Sequence, residues 1–544
     1  MSRPPAAREA PSWLPPLTTA LAEALPRLHG ADPDPHLAEL IAALTAALAR
    51  GELELPLAGP APAGVNPDDW PHAHRQALAT SPLAAEPDGP LAIDGELLLW
   101  RRWQRQRQAV LEVLLQRARP LTDAAALGPP PAPPAALDPR QAQAAAAVLR
   151  HGLVLLEGGP GTGKTSTVGA MVALLLERLP QARVQLASPT GKAAARLRAA
   201  TGGRFACSTL HRLLDSRGDH FGRHRHRPLA VDLLVVDEVS MVDIGLMAAL
   251  LEALPPACRL VLVGDPAQLP PVAPGALLPA LQQPGLRQAL GEAVIRLERT
   301  YRNDGAIATA AACLRAALPQ PPSPPTDADP LAPFWSLLAG LPASANLAWH
   351  QAPARPLPSL LLERMQQQQQ ALAVLAAACR PGDGATAERL LRQRDRLLVL
   401  CPVRGGPWGL EAIHRRLLGP ALAAGPASWP AGTPVLVTRN MADLGLANGD
   451  LGLVLPPPKP GGDAWLLFGE TDGPAPLWLH PAQLAGALAP ALALTIHKAQ
   501  GSEAEEVMVL LERRRCSDPR LLYTALTRAR RRALLITEPA DCPD

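Results

Sequence analysis

The stretch Leu153–Leu179, LVLLEGGPGTGKTSTVGAMVALLLERL, constrains this chain most. A short apolar run breaks at glycines and resumes with Val168, Val172, Leu175, Leu176 and Leu179 on one helical face, which predicts strand, loop, helix. The loop Gly158, Gly159, Pro160, Gly161, Thr162, Gly163, Lys164, Thr165 and Ser166 then cradles a polyphosphate. Its glycines let backbone N–H groups turn inward, and the helix N-terminus adds partial positive charge. Lys164 reaches the outer phosphates and the Thr165 hydroxyl suits magnesium. Nucleotide binding follows; what the nucleotide is spent on does not.

The remaining chemistry is concentrated in a few blocks. VVDE places Asp237 and Glu238 at the end of a strand, where Asp237 can hold magnesium and Glu238 can polarise an attacking water. GDPAQLPPV puts Gln268 where it can touch the terminal phosphate, which separates a motor from a small-molecule kinase. Ahead of the loop, Gln141 either reads an adenine edge or is a surface amide. In RLERTYRN, Tyr301 is a candidate to stack on the base, and Arg302 is either an arginine finger or a surface ion-pair residue. Arg528 in LLYTALTRAR is a second candidate for the γ-phosphate.

Other blocks suit a phosphodiester backbone. SPTGKAAARL offers Thr190 and Lys192, unless it is only a solvated helix start, and STLHRLL offers Thr209 and His211. LALTIHKAQGSE sets Thr495, His497 and Lys498 among several donors. Arg404 and Trp408 end another strand, with Trp408 either on a nucleic-acid face or in the core. Arg439 and Asn440 either contact a strand or cap a turn. The run SRGDHFGRHRHRP is most simply a solvated basic loop.

Composition limits the alternatives. A formal charge of +3 over 544 residues gives no global field toward nucleic acid, so any such binding must be local. Lysine is reduced to Lys164, Lys192, Lys459 and Lys498, three of them inside these blocks. Seven scattered cysteines without a CxxC pair argue against a disulfide framework or metal cluster. The absence of a membrane-length apolar run gives the expectation of a cytoplasmic protein without membrane attachment.

The predicted organisation is α/β. Residues 1–127 form a helical domain, with helices expected over His36–Leu48 and Leu97–Arg117; its aromatics either fill its own core or dock a partner. A proline-rich linker occupies 128–136, a first P-loop domain 137–318 and a second 319–544. The proline-rich 317–333 and the glutamines 366–370 read as loops. Thr433–Leu455 alternates like two strands around an Asn448-Gly449 turn, suggesting a small β insertion at about 428–488.

Taken together in this order, GGPGTGKT, LASPTGKAAARL, VVDEVSMVD, GDPAQLPPV, TYRN, LTIHKAQGSE and YTALTRAR resemble the superfamily 1 helicases, most closely the RecD-type alpha subunits of exodeoxyribonuclease V. The resemblance implies two RecA-like motor domains, a small SH3-like β-barrel insertion, ATP and Mg2+ as cofactors, and 5′-to-3′ movement along single-stranded DNA entered from duplex ends. It also implies a heterotrimer with RecB-type and RecC-type subunits, the former supplying nuclease activity. Pro90–Ala118 resembles the family's partner-docking stretch, with Trp100 and Trp103 at its aromatic positions. A stand-alone or conjugative helicase, a non-motor scaffold and a phosphotransferase are the rival readings.

Overall fold

The computed structural model describes residues 14–121, 136–218, 220–301, 305–318, 329–457, 462, 464–469, 476–512 and 518–539. Arg302 and most of the 128–136 linker lie outside the described residues.

The N-terminal domain is helical around a three-stranded antiparallel sheet ordered Glu54–Pro56, Leu97–Trp100, Leu91–Asp94. Asp34 starts the helix Pro35–Ala49 by accepting N–H bonds from His36 and Leu37. Leu40, Ile41, Leu44, Leu78 and Leu98 close the core. The expected helix from Leu97 is corrected: Leu97–Trp100 is a strand, folded back on Leu91–Asp94 through Gly95 at φ 61°, and the helix spans Arg101–Ala118. A four-residue apolar run fits either period, and only its sheet partners decide.

That helix also leaves its own domain. Val110, Leu114 and Ala118 enter the core of the first α/β lobe, while Arg117 donates to the carbonyls of Cys258 at 2.6 Å and Pro255 at 2.9 Å. Trp103 packs on the same core and Trp100 on the N-terminal core, so both aromatics make intramolecular contacts.

The first lobe is a six-stranded parallel sheet ordered 206–209, 184–188, 233–236, 259–264, 153–158, 294–297. Alternation along the buried strands splits the side chains between two layers. Leu153, Leu155, Leu234 and Val236 face one helical layer; Val154, Leu156, Leu233 and Val235 face the helix Lys164–Arg178 through Val168, Met171, Val172 and Leu175. The nucleotide loop therefore emerges from the carboxyl edge of a rigid sheet.

The second lobe carries a five-stranded parallel sheet ordered 347–351, 529–537, 504–511, 397–401, 494–495. The helix Ala306–Ala316, on the first-lobe side of a boundary at 318, packs in the second lobe's core against Leu521, Leu522 and Tyr523. Inserted in this lobe is an antiparallel five-stranded sheet ordered 477–479, 465–468, 451–455, 434–437, 488–490. Its first two strands pair as expected, but residues 438–450 join them, so Asn448-Gly449 ends a longer connection instead of forming a tight hairpin.

The glutamine run is a further correction. It lies inside the helix Ser359–Ala378, because glutamine is a good helix former and one member is buried and paired. Gln368 donates to the Gln393 carbonyl at 2.6 Å and accepts from the Gln393 amide at 2.9 Å. Gln368→Ala should lower unfolding free energy by about 1–3 kcal/mol by stranding its partner, whereas replacing exposed Gln366 should change little; urea denaturation of the two variants checks the difference.

Candidate functional site

The nucleotide loop is shaped by two left-handed glycines, Gly161 at φ 74° and Gly163 at φ 81°. A side chain on Gly163 would begin 2.3 Å from Gln141 Nε2, so the small residue lets Gln141 reach the loop. Lys164 Nζ rests on the carbonyls of Gly158 and Gly159 at 2.8 and 3.0 Å. Thr165 and Ser166 follow in the first helical turn, and Pro160 lies between Gly159 and Gly161. Thr162 ties the loop to itself, its hydroxyl donating to Gly159 O at 2.8 Å.

Gln141 is buried, not a surface amide. It accepts from the Asp138 N–H and donates to Thr162 O at 3.1 Å, so here it braces the loop from the preceding helix. Tyr301 borders the same place: its N–H donates to Gly161 O, its hydroxyl donates to Asp138 at 2.6 Å, and Arg299 lies over its ring. Half of the ring remains exposed beside the loop.

Asp237 and Glu238 extend from the strand Leu233–Val236. Glu238 adopts φ 55°, ψ 42°, a left-handed conformation that an ordinary residue holds only under constraint from its surroundings. Its N–H donates to Asp237 Oδ1 at 2.8 Å. Desolvation, reinforced by the neighbouring Glu238 charge, pushes the Asp237 carboxyl up to about 6 against the opposing pull of Lys164.

The segment 265–269, expected from the sequence to act as a phosphate sensor, follows the strand Arg259–Gly264 and is gripped by the second lobe. The Tyr523 hydroxyl donates to Asp265 Oδ2 at 2.7 Å, and Leu269 N–H donates to Thr524 at 2.9 Å. Gln500 donates to Leu269 O at 2.7 Å, and Arg520 donates to Pro266 O at 2.6 Å. Gln268 is buried between them, and its Oε1 has no hydrogen-bond partner. Arg528 is buried on the same second-lobe wall, donating to the carbonyls of Thr524 and, at 3.5 Å, Ser502.

The proposed strand contacts fall into three groups. Thr190 caps the helix Gly191–Ala200 and faces Gly501, while Lys192 Nζ donates to Ser502 at 2.9 Å. Burial, with Arg394 nearby, brings the Lys192 ammonium down to about 7. Lys498 Nζ donates to Asn448 at 2.9 Å, and burial and the Arg404 charge lower its pKa. The Thr495 hydroxyl accepts from Lys498 N–H, and His497 lies in the same turn. Separately, Thr209 caps the helix Leu210–Leu213, and His211 packs against Phe221.

The structure decides three readings that the sequence left open. Trp408 is fully buried among Ile413, Val399 and Met508, because the apolar ring fills the layer beneath the sheet; it presents no face to a nucleic acid. Asn440 accepts from Asn448 N–H, the turn-capping alternative, with exposed Arg439 beside it. The basic run is the solvated loop expected: its described residues 216–218 and 220–228 are exposed or half-exposed, and Asp215 just before it pairs with Arg217 and Arg227. A cavity of about 630 Å³ is lined by Lys192 and Arg196 of the first lobe and by Asp395, Asp450 and Glu503 of the second.

Sequence comparison decides the family. A profile of the AAA domain matches residues 141–274 and one of the UvrD-like helicase C-terminal domain matches residues 490–536. The RecBCD enzyme subunit RecD of Mycolicibacterium smegmatis is 37% identical over 530 residues, covering 90% of this chain and 85% of that one. The chain belongs to the RecD family of superfamily 1 helicases. The RecD subunit of Mycobacterium tuberculosis is 34% identical over 505 residues, covering 88% of this chain and 81% of its own. The ATP-dependent RecD2 DNA helicase of Deinococcus radiodurans is 34% identical over 415 residues, covering 73% of this chain and 48% of its own. A Pif1 helicase from Candida albicans overlaps 74% of this chain and 94% of its own with a TM-score of 0.41 and 18% identity. In this RecD-family chain the P-loop cleft is that of an ATP-dependent DNA helicase.

Residues outside the sequence motifs support the site. His414, on the helix Leu410–Leu418, is buried and accepts the Ala493 N–H at 3.4 Å, just before the Thr495–Lys498 turn. Burial pulls its imidazole down to about 4. A depressed histidine pKa favours the neutral folded form, so its contribution is complete above about 6.5 and is lost as pH falls through about 4. Thermal melts between pH 7 and pH 4 should therefore show a decline that His414→Gln, which keeps an acceptor but does not titrate, reduces.

Proposed function

We propose that this RecD-family chain is the 5′-to-3′ translocating subunit of a RecBCD-type heterotrimer, working with RecB-type and RecC-type subunits at duplex ends during double-strand break repair and recombination. The observation that carries the motor reading is the clamp on the sensor segment. Asp265 and Leu269 of the first lobe are bound by Tyr523, Thr524 and Gln500 of the second. A change at the terminal phosphate near Gln268 therefore acts on the helix and loop that adjoin Lys498.

In this reading Lys164 and the loop N–H groups hold ATP, with Gln141 and Tyr301 at its base. Glu238 accepts a proton from the water that attacks the γ-phosphorus, and the bond to the bridging oxygen breaks to leave ADP. Arg302, outside the described residues, and Arg528 of the second lobe are the proposed contacts to the γ-phosphate. A close carboxylate pair with one member's pKa raised suits a divalent cation; Mg2+ would be held through Asp237 and Thr165 and would neutralise phosphate charge.

Thr190 and Lys192 on one lobe and Arg404, Thr495, His497 and Lys498 on the other would grip the strand backbone, with Thr209, His211 and Arg439 as outlying contacts. Alternating grip during ATP-driven closure and opening gives directional movement. The inserted five-stranded sheet is the proposed SH3-like barrel. Nuclease activity belongs to the RecB-type partner in this assignment. The 530-residue alignment with a RecBCD subunit, against 415 with the RecD2 helicase, favours a subunit over a stand-alone enzyme.

Reconstitution with both partners should give DNA-stimulated ATP hydrolysis and unwinding of 5′-tailed duplexes. Lys164→Gln should reduce this subunit's hydrolysis by about 10²-fold or more through loss of phosphate electrostatics. Full DNA-stimulated hydrolysis by the isolated Lys164→Gln chain would remove the motor assignment.

A further inference from the structure

Arg315 lies in the last turn of the helix Ala306–Ala316, within an alanine-rich segment without a motif. Ile307, Ala310, Ala311 and Leu314 anchor that helix in the second lobe. Arg315 nevertheless reaches the phosphate loop of the first. Its guanidinium lies 5.8 Å from the Tyr523 ring centroid, and Nη1 and Nη2 are each 3.8 Å from where a side chain on Gly159 would begin. Gly159 is also a backbone acceptor for Lys164 Nζ.

Arg315 Nε is buried without a hydrogen-bond partner, and no carboxylate among the described residues forms an ion pair with it. Arg287 pairs with Glu157 and Arg394 with Asp395, while Arg117 and Arg528 without a carboxylate rest on backbone carbonyls; Arg315 has neither kind of hydrogen-bonded partner among the described residues. A buried guanidinium N–H without an acceptor is costly, and a phosphate oxygen would supply that acceptor. Tyr523, held by Asp265, gives the arginine a fixed surface to rest on.

We propose that Arg315 is a catalytic residue that donates hydrogen bonds from the second lobe to an outer phosphate of the nucleotide bound at Lys164. This assignment rests on the ATPase reading above and adds a phosphate contact outside the motifs. As water oxygen bonds to the γ-phosphorus and the bridging oxygen leaves with ADP, Arg315 remains protonated and stabilises charge on the transferring phosphoryl group. It also makes lobe closure sensitive to whether the outer phosphate is present.

Two variants separate chemistry from packing. Arg315→Met keeps an apolar stem on Tyr523, and Arg315→Lys keeps the charge. DNA-stimulated kcat and KM are measured on the reconstituted complex whose RecB-type partner carries an inactivated ATP site; a labelled ADP and a non-hydrolysable ATP analogue report binding to the isolated chain. Arg315→Met should lower kcat by about 10²-fold or more, as for loss of a positioned transition-state donor. ADP affinity should stay within about twofold while the triphosphate analogue weakens by about tenfold, a loss of about 1.4 kcal/mol. Arg315→Lys should recover part of kcat.

A kcat for Arg315→Met within about threefold of the parent overturns the assignment, as does equal weakening of ADP and the triphosphate analogue. If Arg315→Met fails to fold, Arg315→Lys decides: selective loss of triphosphate binding supports the contact, and unchanged selectivity overturns it. A parent complex without hydrolysis dependent on this subunit's Lys164 defeats the ATPase reading itself. An active parent with an indifferent Arg315 defeats only the new contact.

Discussion

The Tyr523 hydroxyl and the Asp265 carboxylate meet at 2.7 Å across two lobes that are 258 residues apart in sequence. A buried hydrogen bond to a charged acceptor contributes about 1.5–3 kcal/mol, but its location matters more than its strength. Asp265 begins the segment containing Gln268, and Tyr523 lies on the helix preceding Arg528. The bonds from Leu269 to Thr524 and from Gln500 to Leu269 give that junction two further points of registration. Residues that would sense the phosphate and residues that would move the strand thus share one mechanical contact.

Charge on either side of this junction is arranged differently. Near the loop, Asp237 and Glu238 oppose each other while Lys164 is held by backbone carbonyls, so negative charge is crowded at the strand end and the lysine has only neutral partners. Along the lobe boundary, Arg196 is already paired with Glu503, and Lys192 and Lys498 are held by neutral side chains. Hydrogen bonds to Ser502 and Asn448 place these ammonium groups without neutralising them by a carboxylate contact. A phosphodiester can exchange for such neutral partners at less electrostatic cost than for a paired carboxylate.

The N-terminal domain is continuous with this architecture. Arg117 and Leu114 fasten the helix Arg101–Ala118 to the first lobe, and Gly51 O accepts the Gly275 N–H from the loop that follows the sensor segment. Trp100 and Trp103, in the stretch that resembles a docking segment, are partly buried against two cores. The same residue types serve external recognition or internal packing, because both draw on removal of apolar surface from water; chain geometry determines which occurs.

The sequence alone determined the parts built by local rules. Glycine spacing imposed the turn of the P-loop, apolar runs specified buried strands, and the carboxylates Asp237 and Glu238 stand at a strand end as their spacing implied. It did not reveal that Trp408 belongs to the core, that Leu97–Trp100 is a strand, that glutamines 366–370 lie in a helix, or that Arg315 approaches Gly159. Each depends on a partner distant in the chain. Tertiary structure also decided whether Asn440 capped a turn and whether Gln141 was exposed, since burial and hydrogen-bond completion arise only when separated elements meet. Backbone propensity and periodicity act over a few residues; the field at a phosphate and the space for an indole are properties of the packed molecule.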